Sequence, residues 1–264
     1  MHTQRATQAN SRLIVAGVAT EAEILTTPAQ PTTHRMSSKS TFFYELARKS
    51  ENEIQATLMR CPSHITERDE SERLLVHWAA LVGQERLVES ILERHPDQLN
   101  AEDDAGLTPL ILATLGRHPA IVTMLTFRGA NVHQRSRRGH SALQYACSKN
   151  QPAIARHLVQ LGANVDVVDY LNETPLHRAT AIGSTELIGL LIEAGASPNI
   201  PNSEGNTPLH MACEEDKQEC ALELVRGGAN LELQNRYEKT PLDLASRSLR
   251  QVLSASVASR RQAG

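Results

Sequence analysis

Aromatic residues make up only 3% of the 264 residues, too few for a core built around large rings. No apolar run approaches the roughly 20 residues that a helix needs to span a bilayer. Neither sign of charge dominates: 27 Lys and Arg stand against 30 Asp and Glu, a net charge of −3. Such a balance creates no strong field toward nucleic acid or a membrane surface. The four cysteines, Cys61, Cys147, Cys213 and Cys220, form no CxxC pair. They read as small buried or semi-buried thiols in a reducing compartment. A glycine-rich phosphate loop, a nucleophile elbow and an HExxH pair are all missing. These absences point away from an enzyme, and no motif implies a cofactor or a metal.

What the chain does have is a repeat. Thr207-Pro208-Leu209-His210 is preceded, 33 residues earlier, by Thr174-Pro175-Leu176-His177, and followed at the same step by Thr240-Pro241-Leu242. Gly129-Ala130, Gly162-Ala163, Gly195-Ala196 and Gly228-Ala229 keep the same period. A fixed period of this length marks a stacked-repeat architecture. Within one unit, Thr174 is positioned to cap a helix and Pro175 to occupy its first turn, where a missing N–H costs nothing. Gly183 ends that helix, an apolar second helix runs over Glu186 to Glu193, and Gly195 follows it at a left-handed C-cap position. The polar residues between units suit a short hairpin finger. Each unit is too small to bury its own apolar face, so neighbours must stack.

Seven units are predicted. The first runs from Thr41 to Arg68 and diverges, with Phe42-Phe43-Tyr44 in the motif slot, as a terminal repeat can. The second, Asp69 to Glu102, is one residue longer than the 33-residue period, an excess assigned to Arg94-His95-Pro96. Then follow Asp103 to Arg135, Ser136 to Val168, Asp169 to Asn202, Ser203 to Asn235, and a seventh from Arg236, whose second helix is expected over Leu249 to Val257. Residues 1–39 are rich in Thr, Ser, Gln and Ala, show no repeat phase, and are expected to be a disordered leader. Met36 is a second candidate start. The repeat domain is set at 40–258, with a frayed tail over 259–264.

Several side chains stand out. His77, His177 and His210 share the motif's fourth position. One imidazole per repeat, with no thiolate or carboxylate at ligand spacing, reads as bonding across a turn rather than as a metal site. Ile111, Gln144 and Asp243 take that position elsewhere. Arg135, Arg137 and Arg138 cluster on one finger beside the acidic finger Glu102-Asp103-Asp104. Without interleaved aromatics the basic cluster reads as a protein-binding finger, and fingers of opposite sign suit a partner of mixed charge. Trp78, Leu112, Tyr145, Arg178, Met211 and Leu244 share the slot after the fourth position, which is expected to face the inner side of the stack. Trp78 and Tyr145 are either partner anchors or packing residues within the stack.

The TPLH motif followed by alanine, in a 33-residue frame, resembles the ankyrin repeat. The implied fold is an all-α solenoid of seven ankyrin repeats with short β-hairpin fingers. Beyond that frame, Val76-His77-Trp78-Ala79, Asp103-Asp104-Ala105-Gly106, Tyr145 with Ser148-Lys149-Asn150, His177-Arg178-Ala179, and Glu204 to His210 followed by Ala212-Cys213-Glu214-Glu215 resemble the gankyrin family. The resemblance covers Ser40 to Ala258. It implies a cytoplasmic and nuclear monomer that chaperones assembly of the proteasome base. Such a protein holds the C-terminal domain of a proteasomal ATPase subunit on its concave face. It implies contacts at Arg73, Asp104 and Lys149, which are expected to be exposed. The candidate partner-binding set is therefore Arg73, Trp78, Asp104, Arg138, Tyr145, Lys149 and Arg178. A cyclin-dependent kinase is a further partner implied by the family. A retinoblastoma-protein motif is poorly matched by Met211 to Glu215, with Met in place of Leu and Cys213 on a helix.

Overall fold

In every unit but the second, which has Leu74 there, the first helix starts where the sequence supplies a short hydroxylated residue, and in four units a proline follows it. Thr108, Ser141, Thr174 and Thr240 each accept the backbone N–H three residues on. This satisfies one of the donors that a helix start leaves without a partner. The helices that follow are short. The computed structural model describes residues 37–263, with side chains through residue 256, and holds fourteen α-helices among them.

In chain order these are α1 (Ser38–Ala47), α2 (Glu51–Arg60), α3 (Leu75–Val82), α4 (Glu85–Arg94), α5 (Pro109–Leu115), α6 (Pro119–Phe127) and α7 (Ala142–Ser148). Then come α8 (Pro152–Gln160), α9 (Pro175–Ile182), α10 (Thr185–Glu193), α11 (Pro208–Glu214), α12 (Gln218–Arg226), α13 (Pro241–Leu244) and α14 (Arg247–Ala263). Odd-numbered helices stack in one layer and even-numbered helices in a second, so each pair meets its neighbours on both sides. Isolated helices of seven to ten residues would be marginal in water. Here one apolar core, from Phe43 to Leu253, runs through the whole stack and supplies what each unit lacks.

The seven-unit count holds, with two adjustments at the ends of units. Repeats one and two close with 3-10 turns, Pro62–Ile65 and Pro96–Asn100, in place of the glycine turn that closes the later units. The extra residue of the second unit is accommodated in the second of these turns. The seventh unit's last helix starts at Arg247, earlier than expected, and continues to Ala263. The expected leader lies outside the described residues except for its end, where Ser38 and Lys39 already belong to α1. Met36 also lies outside them.

The fingers differ from the hairpins expected. Among the described residues there is no strand, only an isolated bridge between Arg135 and Ser141. Each finger is instead a closed turn. Its opening residue (Asp69, Asp103, Ser136, Asp169, Asn202 or Asn235) donates its N–H to the carbonyl four residues on, at 2.8–3.2 Å. In five of the six, the side chain of that residue also accepts the amides at the second and fourth positions beyond, as Asp103 Oδ1 does from Ala105 and Leu107. In the finger opened by Ser136 the hydroxyl accepts the amide of His140. An Asx side chain that mimics backbone acceptors explains why the turn needs no ladder. Asn202 and Asn235 therefore open fingers rather than close repeats, one residue off the boundaries read from sequence.

Successive fingertips are stitched in register. Asp104 donates to Ser71 O (3.0 Å), Arg137 to Ala105 O (2.8 Å), Tyr170 to Arg138 O (3.1 Å), Ser203 to Leu171 O (2.8 Å) and Arg236 to Glu204 O (3.0 Å). A second row joins the start of four even helices to the end of the previous unit's odd helix. Gln84, His118, Gln151 and Lys217 each reach a carbonyl of the previous unit at the C-terminal end of its first helix. These carbonyls would otherwise lack partners.

Candidate protein-binding face

The inner side of the stack presents two parallel rows of side chains, the fingertips and the turns that end the odd helices. The site is built by what those turns expose and by what the layer beneath them consumes.

The histidine row belongs to that lower layer. His77, His177 and His210 accept the N–H of the residue preceding the helix through Nδ1, at 3.0–3.1 Å. Their Nε2 serves as the donor, at 3.0 Å, to Ala101 O at the end of His77's own unit and to Asn206 O and Lys239 O of the following unit for His177 and His210. Gln144 does the same job in the fourth unit, with Oε1 accepting from Ser141 N and Nε2 donating to Glu173 O. The bonding across the turn read from the sequence is thus present, and it extends to the next repeat. Burial pushes the imidazoles of His77 and His177 down to about 4, and His210 in the same direction. They are neutral linkers.

Arg73 was expected on the surface and is not there. Its guanidinium lies 4.8 Å over the Trp78 ring, and Nε donates to Asp103 Oδ2 of the next finger at 2.8 Å. The arginine side chain is 10% exposed and the carboxylate 0%. The equivalent pair in repeats six and seven is Asn206 and Asn235, joined side chain to side chain at 2.7 Å. In repeats four and five it is His140 and Asp169, 3.2 Å apart. Arg73 is therefore one member of a row of inter-repeat links whose two partners are chemically matched.

Trp78 and Tyr145 are also buried, each 2% exposed. The slot they share with Arg178 turns its polar tip back to its own finger. Trp78 Nε1 donates to Asp69 Oδ2 at 2.9 Å. Arg178 binds Asp169 and, at 3.0 Å, Glu173. The Tyr145 hydroxyl lies 3.2 Å from His140 Nδ1, with the rings edge to face. A buried carboxylate at the finger's first position demands donors, and this slot supplies them. That requirement accounts for Trp78 and Arg178, whereas Tyr145, whose finger opens on Ser136, meets His140 instead. Both aromatics fall to the packing alternative.

The electrostatics of the fifth unit follow from this. Burial alone would raise the Asp169 carboxyl, but the bonds from His140 and Arg178 and the backbone amide of Glu173 hold it well below the usual carboxylate range. Glu173 is moved up, chiefly by burial, with Arg178 pulling the other way and Asp169 adding to the rise. One guanidinium thus serves two carboxylates, and Arg178 offers little charge outward.

The remaining three expected residues do reach the face. Asp104 is half-buried on its fingertip, and burial, with Asp103 beside it, shifts its carboxyl upward. Arg138 is exposed on the next fingertip. Lys149 is the C-cap of α7, half-buried, and its amine is moved down first by burial and then by Arg117. The structure adds residues that the sequence reading missed. Tyr170 and Leu171 are 76% and 57% exposed on the fifth fingertip, and Ile182, 48% exposed, ends α9. Glu214, Glu215 and Asp216 are exposed at the end of α11. Their signal was present in sequence as the helix-end positions of the 33-residue frame.

Three of the four thiols are buried as read, and Cys61 is not. Cys147, Cys213 and Cys220 are buried and Cys61 is exposed. Burial pushes Cys147 and Cys213 up to about 12. Cys213 sits inside α11, so Met211 to Glu215 is a helix face and not an extended peptide. Among the described residues no three His, Cys, Asp or Glu side chains are grouped to hold a metal ion, and no helix is long and apolar enough to cross a membrane.

Comparison with known proteins places the repeat in context. The family described as ankyrin repeats (3 copies) matches residues 120–202 and 176–255. A 64-residue stretch is 38% identical to the 26S proteasome non-ATPase regulatory subunit 10 of Dictyostelium discoideum, covering 24% of this chain and 28% of that one. A 68-residue stretch is 31% identical to the BTB/POZ domain and ankyrin repeat-containing protein NPR3 of Oryza sativa subsp. japonica, covering 26% of this chain and 12% of that one. These matches span less than a third of either relative. Among solved structures, the ankyrin repeat domain of Bcl-3, a member of the IkappaB protein family, superposes with a TM-score of 0.66. It covers 82% of this chain and 93% of that one at 23% identity, which speaks for the fold alone.

Proposed function

From the premise that the chain belongs to the ankyrin-repeat family, whose fold is a protein-interaction scaffold, we propose that it is an assembly chaperone for the base of the proteasome regulatory particle. In this reading it holds the C-terminal domain of a proteasomal ATPase subunit on its inner face, as a monomer in cytoplasm and nucleus. The observation that carries the reading is the 38% identity over 64 residues to a proteasome non-ATPase regulatory subunit. The exposed charges of both signs along the inner rows support it, because charge complementarity sets register and partner choice. Asp104, Arg138 and Lys149 are the contacts retained from the expected set. Arg73, Trp78 and Tyr145 act indirectly, by fixing the fingers, and Arg178 fixes the fifth.

The test is isolation of the tagged full chain from its own cells with its partners. Free proteasomal ATPase subunits are expected to co-purify, and the finished proteasome is not. Recovery of only kinases or transcription regulators would overturn the chaperone reading and leave a scaffold for those partners.

A further inference from the structure

Two rows of side chains on the inner face are positioned by separate backbone devices, and they carry the same order of chemistry over repeats four to six. On the fingertip row, Arg137 and Arg138 of the fourth finger are followed by Tyr170 and Leu171 of the fifth and Glu204 of the sixth, all of them exposed. The backbone bonds from Tyr170 to Arg138 O and from Ser203 to Leu171 O keep these fingertips side by side. On the helix-end row, Lys149 is followed by Ile182 and then by Glu215, at matching positions of α7, α9 and α11. Both rows therefore read basic, apolar, acidic.

The other charges of these units do not reverse this order. Arg178, in the apolar unit, is held by Asp169 and Glu173. Lys217, in the acidic unit, is bound to Glu215 and to the carbonyls of Thr180 and Ala181, and the exposed Glu214 and Asp216 leave that turn acidic. Next to Lys149 stands Arg117, a second cation at the corresponding turn of the third unit, so the basic end is reinforced.

We infer that the inner face over repeats four to six is a polarised track for one protein segment carrying an acidic cluster, an apolar side chain and a basic cluster in that order. The inference rests on reading the chain as a protein-binding scaffold, and it names the chemistry of the partner. Packed helices lie about 8–10 Å apart, so Lys149 and Glu215, two units apart, are separated by roughly 16–20 Å. A helical partner would span that distance in about 11–13 residues. Its acidic and basic clusters should be separated by that length, with a large apolar residue midway.

The test uses two helical peptides of identical composition and the full chain. One carries glutamates at one end, leucine and phenylalanine in the middle and lysines at the other end. The second intermixes its charges. Fluorescence anisotropy at low salt is expected to show the polarised peptide binding at least tenfold tighter. Arg138→Glu with Lys149→Glu should remove that preference. Adding Glu214→Lys and Glu215→Lys to that pair should restore it, because the peptide can then dock in the opposite direction. Thermal melts of each variant check that the stack is intact. Equal affinity for the two peptides, binding of neither, or no restoration by the fourfold inversion would overturn the inference. Capture of an ATPase subunit from cells is read separately, so the track can fail while the chaperone reading stands, and the reverse.

Discussion

At the scale of single residues, the inner layer is governed by where buried carboxylates obtain their donors. Asp103 accepts two backbone amides through Oδ1 and the Arg73 guanidinium through Oδ2. Removing one member of a buried ion pair leaves an uncompensated charge, at a cost of about 3–5 kcal/mol. Arg73→Leu should therefore lower the urea midpoint sharply. The double variant Arg73→Asn with Asp103→Asn copies the bonded pair Asn206 and Asn235, and should recover more than half of that loss in the same titration. The histidines give a second prediction. His77 and His177 have folded values of about 4, below the unfolded value of about 6.5, so between these pH values the unfolded chain binds more protons. Stability is then lost as pH falls from about 6.5 to about 4. Glu173, whose carboxyl is raised chiefly by burial, works in the opposite sense just above the ordinary glutamate range. Gln144 already makes the histidine's two bonds without titrating. Replacing His77 and His177 by Gln should flatten the dependence of the unfolding free energy on pH in that window, and a slope equal to that of the parent chain would contradict the assignment.

At the scale of elements, the finger is the unit that specifies register. Its fourth position is left-handed in all six cases: Glu72, Gly106, Gly139, Asn172, Gly205 and Glu238. A glycine there and a glycine after the second helix face different constraints. A Cβ on Gly205 would come within 2.7 Å of Arg236 N and 3.0 Å of Asn235 Cα, atoms of the next finger's backbone. A Cβ on Gly195 would meet nothing within 4 Å, so only its positive φ of 89° opposes a side chain. Gly195→Ala should cost about 1 kcal/mol, the conformational penalty alone. Gly205→Ala should cost clearly more, and it should expose the amide of Arg236 to hydrogen exchange. The same contrast shows what could be read without coordinates. Helix positions, caps and the histidines' bonding across the turn were legible because they depend on residues within a few positions of one another. The closed form of the finger was not, because its amides are satisfied by one Asx side chain where a hairpin would use a partner strand. Nor was the burial of Arg73 and Trp78, since it depends on Asp103 and Asp69 at distances of thirty and nine residues along the chain.

At the scale of the whole molecule, stability is a sum of nearest-neighbour terms, and the ends have fewer of them. An interior unit such as the fifth is joined on one side by the bond from Tyr170 to Arg138 and on the other by that from Ser203 to Leu171. The Gln144 link enters it, and the His177 link leaves it. Among the described residues the first unit has a neighbour on one side only, and its motif slot holds Phe42-Phe43-Tyr44, with no histidine to link forward. In the seventh, Asp243 takes the histidine position and bonds back to Thr240, and its first helix is only four residues long. Local opening free energy should therefore be graded along the chain rather than uniform. Native-state hydrogen exchange is expected to show the slowest amides in α7, α9 and α11 and the fastest helical amides in α2 and α13. Cutting the central links by Gln144→Ala with His177→Ala should split the profile, raising exchange in α7 and α9 while α3 and α5 keep most of their protection. A single exchange rate common to all the helices, in the parent or in this variant, would mean that the stack opens as one cooperative block and that the links are not the terms that join it.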